Sequence, residues 1–240
     1  MLFKKKRVVQ STSREDGVRD EESFWESFVQ TERFFNNWCK SSPNPELNIE
    51  IDLLISIVAK GCKDNIRILD IGSGPVSILS RCTNSHKNFL QSVDPLADFY
   101  KSILPSNINE FDVNIPDSVA AEDLSEKFDD DFFDIVHIRN ALDHTVDPLS
   151  CLNEMYKITK ESGYMVIHGF ENEAVWENWI GMHQWNLYLD NNSLIVSNKD
   201  GIVGNTLEIF QNKVSVLISS STKLPNGKTW ITYILEKLPN

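Results

Sequence analysis

A glycine-rich turn directly after an apolar segment is the part of this chain that most clearly points to chemistry. Residues 66–75 read I-R-I-L-D-I-G-S-G-P, so Asp70 comes shortly before Gly72 and Gly74. Glycines allow the backbone to turn sharply and to approach a ligand closely. A turn of this kind at the end of a strand is typical of the crevice in which open α/β sheets bind cofactors. The pattern therefore predicts a cofactor site near residue 72.

Two kinds of cofactor fit such a turn. A dinucleotide fingerprint requires G-x-G-x-x-G, and here Ser77 occupies the third glycine position. An acid such as Asp70 is also a poor neighbour for a pyrophosphate, whereas it can pair with the ammonium group of S-adenosylmethionine. Asp94, at the end of the next predicted strand, lies where an acid commonly binds ribose hydroxyls, and it suits either cofactor. The residues of the turn therefore favour S-adenosylmethionine.

The candidate catalytic residues follow the fourth predicted strand. Methyl transfer to oxygen or nitrogen requires removal of a proton, and an imidazole accepts protons near neutral pH. His144 is therefore the first candidate for a general base, and Asp143 either orients a histidine or is itself the base. We interpret further polar and aromatic residues as lining the substrate side, namely Arg139, His168, Glu171, His183 and Trp185. The histidines are not spaced like metal ligands along the chain, so no metal site is predicted.

The elements that position these residues alternate between strands and helices. Strands are predicted at 66–71, 89–93, 119–121, 132–138 and 164–168, and helices near 76–82, 96–104 and 147–158. This alternation predicts a doubly wound, mainly parallel, Rossmann-like α/β sheet of seven strands. Asn226 and Gly227 predict an antiparallel hairpin at the C-terminus.

We expect a single domain over residues 21–240, preceded by a disordered tail over residues 1–20. Residues 21–61 are predicted to form N-terminal helices, and the aromatic-rich helix over residues 21–39 either packs on the domain or forms a lid over the site. Residues 171–206 are predicted to be an insertion that covers the pocket, with a helix over residues 171–189. A strand is predicted over residues 207–210.

Composition narrows the class of protein. The chain has 240 residues, 41% of them hydrophobic, with a net charge of -12, and an acidic surface repels the phosphates of nucleic acids. No apolar run approaches the length of a membrane span, and no secretory signal is recognisable. The scattered cysteines predict reduced thiols. We therefore expect a cytoplasmic protein that acts on a small molecule, with no nucleic-acid or membrane partner, and the sequence indicates no oligomeric state.

Taken together and in order, six segments of the chain resemble the class I S-adenosylmethionine-dependent methyltransferases. They are residues 66–75, 93–94, 133–136, 140–144, 147–148 and 163–167, and their spacing is most similar to the small-molecule group that includes the ubiquinone/menaquinone C-methyltransferases. Of the family pattern D/E-x-G-x-G-x-G, Asp70, Gly72 and Gly74 are present, and Val76 replaces the last glycine. The resemblance implies that these three matching residues line the methionine end of the cofactor.

The resemblance also implies roles for residues after the later strands. Asp94 would bind the ribose, Pro95 would pack near the adenine, Glu122 would accept a hydrogen bond from the adenine amino group, and Asn140 would lie near the sulfonium. The implied activity is methyl transfer to an oxygen, or less readily a nitrogen, of a small polar metabolite such as a sugar or a glycan or natural-product intermediate. An NAD-dependent oxidoreductase and a non-catalytic protein that binds S-adenosylmethionine are the alternative hypotheses.

Overall fold

The computed structural model describes residues 14–40, 66–81 and 89–239. The strands are β1 Arg67–Ile71, β2 Phe89–Val93, β3 Phe133–Arg139, β4 Thr159–Phe170, β5 Asn186–Asp190, β6 Ser193–Asn198, β7 Gly201–Asn205, β8 Val214–Lys223 and β9 Thr229–Lys237. The α-helices are α1 Arg14–Phe28, α2 Ala97–Ile103, α3 Leu124–Lys127, α4 Pro148–Ile158, α5 Glu173–Trp176 and α6 Thr206–Phe210. Short 3-10 turns lie at Ile78–Arg81, Ile108–Glu110, Leu142–His144 and Gln211–Lys213, and Phe34–Lys40 is π-helical.

The main sheet has the strand order β2-β1-β3-β4-β9-β8. Strands β1 to β4 run parallel, and β8 and β9 form the C-terminal antiparallel pair, which confirms the predicted fold class. The sheet has six strands rather than seven in the described residues, because the predicted strand over residues 119–121 does not form. Asp117 makes a single bridge to Val93 there. The preceding Pro116 has no N–H to donate, so it cannot extend that bridge into a ladder.

The core lies on both faces of the parallel strands. Strand β3 is the most deeply buried, with Phe133, Ile135, Val136 and Ile138 inaccessible to solvent, as expected for a strand that is covered on both sides. Helix α4 packs its apolar face on this sheet. The α4 N-terminus is capped by Asp147, which accepts hydrogen bonds from the N–H groups of the second and third residues of the helix. These features place the carboxyl ends of β1, β2 and β3 side by side.

The N-terminal segment differs from its predicted boundaries. Helix α1 already begins at Arg14, within the segment for which disorder is predicted, and it ends at Phe28. The side chain of Thr31 then accepts a hydrogen bond from the N–H of Phe34, where the π-helical segment starts. The helix predicted within residues 44–61 lies outside the described residues. Aromatic side chains join α1, the π-helical segment and α2 in one cluster, namely Phe24, Trp25, Phe28, Phe34, Trp38 and Tyr100.

The insertion between β4 and β8 is mostly β-structure. Strands β5, β6 and β7 form a second, antiparallel sheet, and the helix predicted over residues 171–189 shrinks to α5. Left-handed backbone at Asn178, Trp179 and Gly181 ends helical geometry there. The strand predicted over residues 207–210 is instead part of helix α6, whose N-terminus is capped by Asn205. No helix in residues 14–40, 66–81 and 89–239 is long and apolar enough to cross a membrane.

Candidate active site

The glycine turn joins the ends of the central strands. Gly72 and Gly74 both have left-handed backbone, with φ of 61° and 67°. The N–H of Gly72 donates to the carbonyl of Val93 at the end of β2 (2.8 Å). On its other side Gly72 is so close to Ala141 that a Cβ at position 72 would collide with the Ala141 Cβ. The turn is therefore fixed between β2 and the segment that follows β3.

We expect Gly72→Ala to lower the free energy of unfolding by about 2–4 kcal/mol, since left-handed backbone costs a side chain about 1–2 kcal/mol and the collision adds more. Thermal denaturation measures this loss. Gly227→Ala is the matched control, because Gly227 has a φ of 85° and nothing within 4 Å of its Cβ position. An equal loss in both variants would show that the contact with Ala141 has no energetic consequence.

Asp70 is buried and already has partners in the protein. Its Oδ2 accepts a hydrogen bond from Ser77 Oγ (2.6 Å), and its Oδ1 lies 2.7 Å from His137 Nδ1 on the neighbouring strand. His137 Nε2 in turn lies 3.3 Å from His168 Nδ1. His168 is 1% exposed, because β4 continues to Phe170 and places it within the sheet rather than beyond its edge. That His168 lines the substrate side stays a prediction.

Asp94 fastens the glycine turn to the end of β2. Its Oδ2 accepts from the N–H of Gly74 (3.0 Å), and its Oδ1 accepts from the N–H of Leu96 (2.9 Å). Burial raises the pKa of Asp94 to about 6, although these two hydrogen bonds oppose the change. Pro95, the next residue, is exposed at the surface. Asp94 therefore holds the glycine turn and the start of the next segment together, and its binding of a ribose stays a prediction.

Helix α1 covers the turn. A Cβ on Gly74 would lie 2.9 Å from Cη2 of Trp25, and the Trp25 ring also packs edge-on against Tyr100 of α2 (5.9 Å between centroids). The aromatic helix thus packs on the domain at the turn itself. The contact agrees with the first of the two roles predicted for this helix, which is packing on the domain, and the role of a lid over the site stays a prediction.

Glu122 and Asn140 differ in whether their side-chain oxygens already have hydrogen-bond partners in the protein. Glu122 Oε1 accepts from the N–H groups of Val146 (2.6 Å) and Asp147 (3.1 Å), so this oxygen supports the loop before α4. Asn140, at the end of β3, has left-handed backbone with a φ of 51°. Its Oδ1 is buried and has no hydrogen-bond partner among the described residues. Asn140 therefore presents an unused polar atom beside the glycine turn.

Asp143, His144 and His183 come together although the last is far from the others in the chain. His183 Nδ1 lies 3.0 Å from Asp143 Oδ2 and 3.1 Å from His144 Nε2. Burial would raise the pKa of Asp143, but the charges of His144 and His183 and a hydrogen bond with His183 outweigh it and hold that pKa below its usual value. Burial would lower the pKa of His183, but the hydrogen bond with Asp143 and the charges of Asp143, Glu173 and Glu177 together raise it. We call these three residues the His–Asp cluster.

A cavity of about 310 Å³ opens next to the His–Asp cluster, between α1 and the insertion. His144 and His183 line it together with three acids, Asp20, Glu21 and Glu177. No lysine or arginine of the described residues contributes to the lining, so the cavity has a negative potential. Its volume falls in the range that is usual for sites that bind small molecules.

The other candidate substrate residues lie apart from this cavity. The Arg139 guanidinium stacks over the ring of Trp230 (5.0 Å), and burial lowers its pKa while the charge of Asp70 opposes this. Glu171 is half-buried after β4. Trp185 donates its Nε1–H to the carbonyl of Thr145 (3.0 Å), which holds the insertion against the turn that bears His144. Of the predicted residues, the structure thus unites Asp143, His144 and His183 and leaves Arg139, Glu171 and His168 outside.

Sequence reasoning missed Glu21 and His137 in this region, whereas it placed Glu173, next to Glu171, among the residues that could line the substrate side. Glu21 lies near His144 (3.7 Å between Oε1 and Nδ1), and buried Glu173 interacts electrostatically with Asp143 and His183. Burial, followed by the charge of Asp143, raises the pKa of Glu173 to about 7. His137 had a recognisable signal, because a histidine within the apolar run of β3 requires a buried partner, which is Asp70. Glu21 had none, since it lies in a segment without a local motif.

Solved structures share this architecture at low identity. The N-methyltransferase NodS from Bradyrhizobium japonicum WM9, in complex with S-adenosyl-L-homocysteine, is 11% identical, with 90% of this chain and 98% of that one covered and a TM-score of 0.53. The CurJ carbon methyltransferase is 13% identical (80% and 54% covered, TM-score 0.56). The [4+2]-cyclase SpnF is 12% identical (97% and 98% covered, TM-score 0.56). These similarities establish the fold. The three proteins catalyse different reactions, so the similarities do not identify the reaction of this chain.

The comparison with protein families is more specific. No curated protein sequence matches the chain significantly. A family model described as a methyltransferase domain matches residues 48–199, which is more than half of the chain and includes the glycine turn, Asp94 and the His–Asp cluster. This match leaves the NAD-dependent alternative without support. The chain therefore belongs to the methyltransferase domain family and is an S-adenosylmethionine-dependent methyltransferase.

Proposed function

We propose that this methyltransferase acts on an oxygen of a small polar metabolite that binds in the cavity beside the His–Asp cluster. The observation that carries the proposal is the position of His144, which lines the cavity and lies 3.4 Å from Asp143 Oδ2 through its Nε2. A hydroxyl must lose a proton as it attacks the methyl group, and an imidazole beside a carboxylate is suited to accept it. His144 is then the general base, and Asp143 orients and stabilises it.

The cofactor residues of the proposal lie at the ends of three neighbouring strands. Gly72, Gly74 and Asn140 would contact the methionine part, and Asp94 would bind the ribose. Asp70 would act mainly by holding Ser77 and His137, because both of its oxygens have these partners. The resemblance of residues 66–170 further supports a place in the small-molecule group that includes the ubiquinone/menaquinone methyltransferases. A sugar or a glycan or natural-product intermediate agrees with the polar lining of the cavity.

The acidic lining favours a second acceptor, which is the nitrogen of a cationic amine. Asp20, Glu21 and Glu177 would attract an ammonium group, and Phe24 offers an aromatic ring in the same cavity. An amine would also have to lose a proton before it attacks the methyl group. The same base would therefore serve both acceptors.

Incubation of the purified protein with S-adenosylmethionine and two panels of acceptors tests the proposal. One panel holds hydroxylated metabolites, including sugars, and the other holds small amines, and mass spectrometry measures both S-adenosylhomocysteine and the methylated product. We expect a product from the hydroxyl panel. A product from the amine panel alone would replace oxygen by nitrogen as the acceptor. Binding of S-adenosylhomocysteine without any product from either panel would favour the non-catalytic alternative.

A further inference from the structure

The donor atoms of the His–Asp cluster form a nearly equilateral triangle. Asp143 Oδ2 and His183 Nδ1 are 3.0 Å apart, His183 Nδ1 and His144 Nε2 are 3.1 Å apart, and His144 Nε2 and Asp143 Oδ2 are 3.4 Å apart. Each atom carries a lone pair when it is deprotonated. The fold brings these three potential ligand atoms together from two segments of the chain.

These separations agree with those of ligands around one metal ion. With metal–ligand bonds of about 2.1 Å, neighbouring ligands are about 3.0 Å apart in octahedral geometry and about 3.4 Å apart in tetrahedral geometry. All three edges of the triangle fall in this interval. The prediction of no metal site rests on the absence of close ligand spacing along the sequence. The fold brings ligands together from distant segments, so that absence does not exclude a metal site here.

A cation at the centre of the triangle would accept a lone pair from all three atoms at once. Asp143 is buried, and a buried carboxylate requires a compensating charge, which such a cation would supply.

The surroundings of the cluster also suit a cation. Glu21 Oε1 lies 3.7 Å from His144 Nδ1, which is longer than a hydrogen bond, so Glu21 contributes its charge and does not fix the ring. Glu173 is buried, its Oε2 has no hydrogen-bond partner among the described residues, and its charge acts on Asp143 and His183. These two carboxylates add negative charge beside a site that would hold a positive ion.

We propose that Asp143, His144 and His183 bind one divalent transition-metal ion. Two imidazoles and one carboxylate suit zinc, iron, cobalt or manganese better than magnesium or calcium, which prefer oxygen ligands. Three protein ligands leave coordination positions open toward the cavity. A bound ion there would lower the pKa of an acceptor hydroxyl, and His144 would then be a ligand instead of the base. The ion site itself rests on the triangle of donor atoms and not on the proposed methyl transfer.

Titration of chelator-treated protein tests the site with Co²⁺ and Zn²⁺. We expect one Co²⁺ per chain with visible absorption bands, and competition by Zn²⁺. His183→Ala and Asp143→Asn should each weaken Zn²⁺ binding by about 100-fold, because each removes or weakens one of three ligands. Glu177→Gln, which changes an acid of the same cavity but no atom of the triangle, should change it by less than about threefold. Circular dichroism verifies that each variant is folded.

Two results would overturn the inference: no binding of either ion at millimolar concentration, or equal Zn²⁺ affinity in folded His183→Ala, folded Asp143→Asn and the unaltered protein. Calorimetry with S-adenosylhomocysteine on the metal-free protein separates this test from that of the proposed function. Metal binding without methyl transfer to any acceptor supports the inference and contradicts the proposed function. Methyl transfer by protein that binds neither ion supports the proposed function and overturns the inference.

Discussion

His144→Ala is expected to lower the rate of methyl transfer by about 100- to 1,000-fold, the usual loss when a group that assists proton removal is deleted. His144 lines the cavity, and it is not one of the residues that we assign to the cofactor. We therefore expect the dissociation constant of S-adenosylhomocysteine to change by less than about threefold, since no cofactor contact is lost. Single-turnover kinetics and calorimetry measure the two quantities.

The matched control for His144→Ala is Asn178→Gly, because Asn178 has left-handed backbone (φ of 56°), which glycine adopts without strain. Asn178 lines the same cavity, is exposed and has no group that accepts a proton near neutral pH. We expect it to keep the rate within about threefold of the original. If His144→Ala also kept its rate, the His–Asp cluster would have no part in the chemistry, whether as base or as metal site.

The affinity for S-adenosylhomocysteine is expected to rise about tenfold between pH 5 and pH 7. Burial raises the pKa of Asp94 to about 6, so only a small part of this carboxyl is ionised at pH 5. The ionised form is the better acceptor for ribose hydroxyls, and the amino-acid part of the ligand does not titrate in this range. Calorimetry over this pH range measures the effect, and Asp94→Asn should remove most of it.

The raised pKa of Asp94 also affects the free energy of unfolding. This quantity falls as the pH rises, whereas the affinity for S-adenosylhomocysteine increases. Between about pH 4 and pH 6 the folded protein holds the Asp94 proton more tightly than the unfolded chain does, so stability falls as the pH rises through this window. The loss is complete above about pH 6 and amounts to about 3 kcal/mol. Asp98→Asn is the control, because the Asp98 side chain is exposed. An unchanged pH profile in Asp94→Asn would show that other groups cause the dependence.

The part of the fold that the sequence predicts is the part built on local patterns. The apolar strands of the central sheet, the Asp147 cap of α4 and the hairpin at Gly227 all follow from short-range signals. The segment 207–210 has the composition of a strand, but the Asn205 cap and the packing of Phe210 in the core make it helical. Residues 119–121 are apolar, but they do not form the predicted strand. They follow Pro116, which has no N–H to donate, and no neighbouring strand in the described part of the chain pairs with them.

The candidate site was predictable only where it follows the ends of strands. The glycine turn and Asp94 lie at such ends, and so does the segment that holds Asp143 and His144. The position of His183 against them depends on how the insertion folds back, and no spacing in the sequence encodes that. The position of His168 was not predictable either, although it follows a local strand pattern. The exact length of β4 decides whether its side chain lies at the edge of the sheet or within it. The fold does not determine the reaction either, since its relatives include two kinds of methyltransferase and a cyclase.

The contact between Trp25 and Gly74 has a consequence for the timing of turnover. Helix α1 both covers the glycine turn with Trp25 and forms one wall of the cavity with Glu21 and Phe24. A cofactor at the turn and a product in the cavity would therefore both lie under α1. We expect α1 to open once in each cycle, so that its opening rate would set an upper limit on turnover however fast the chemical step becomes.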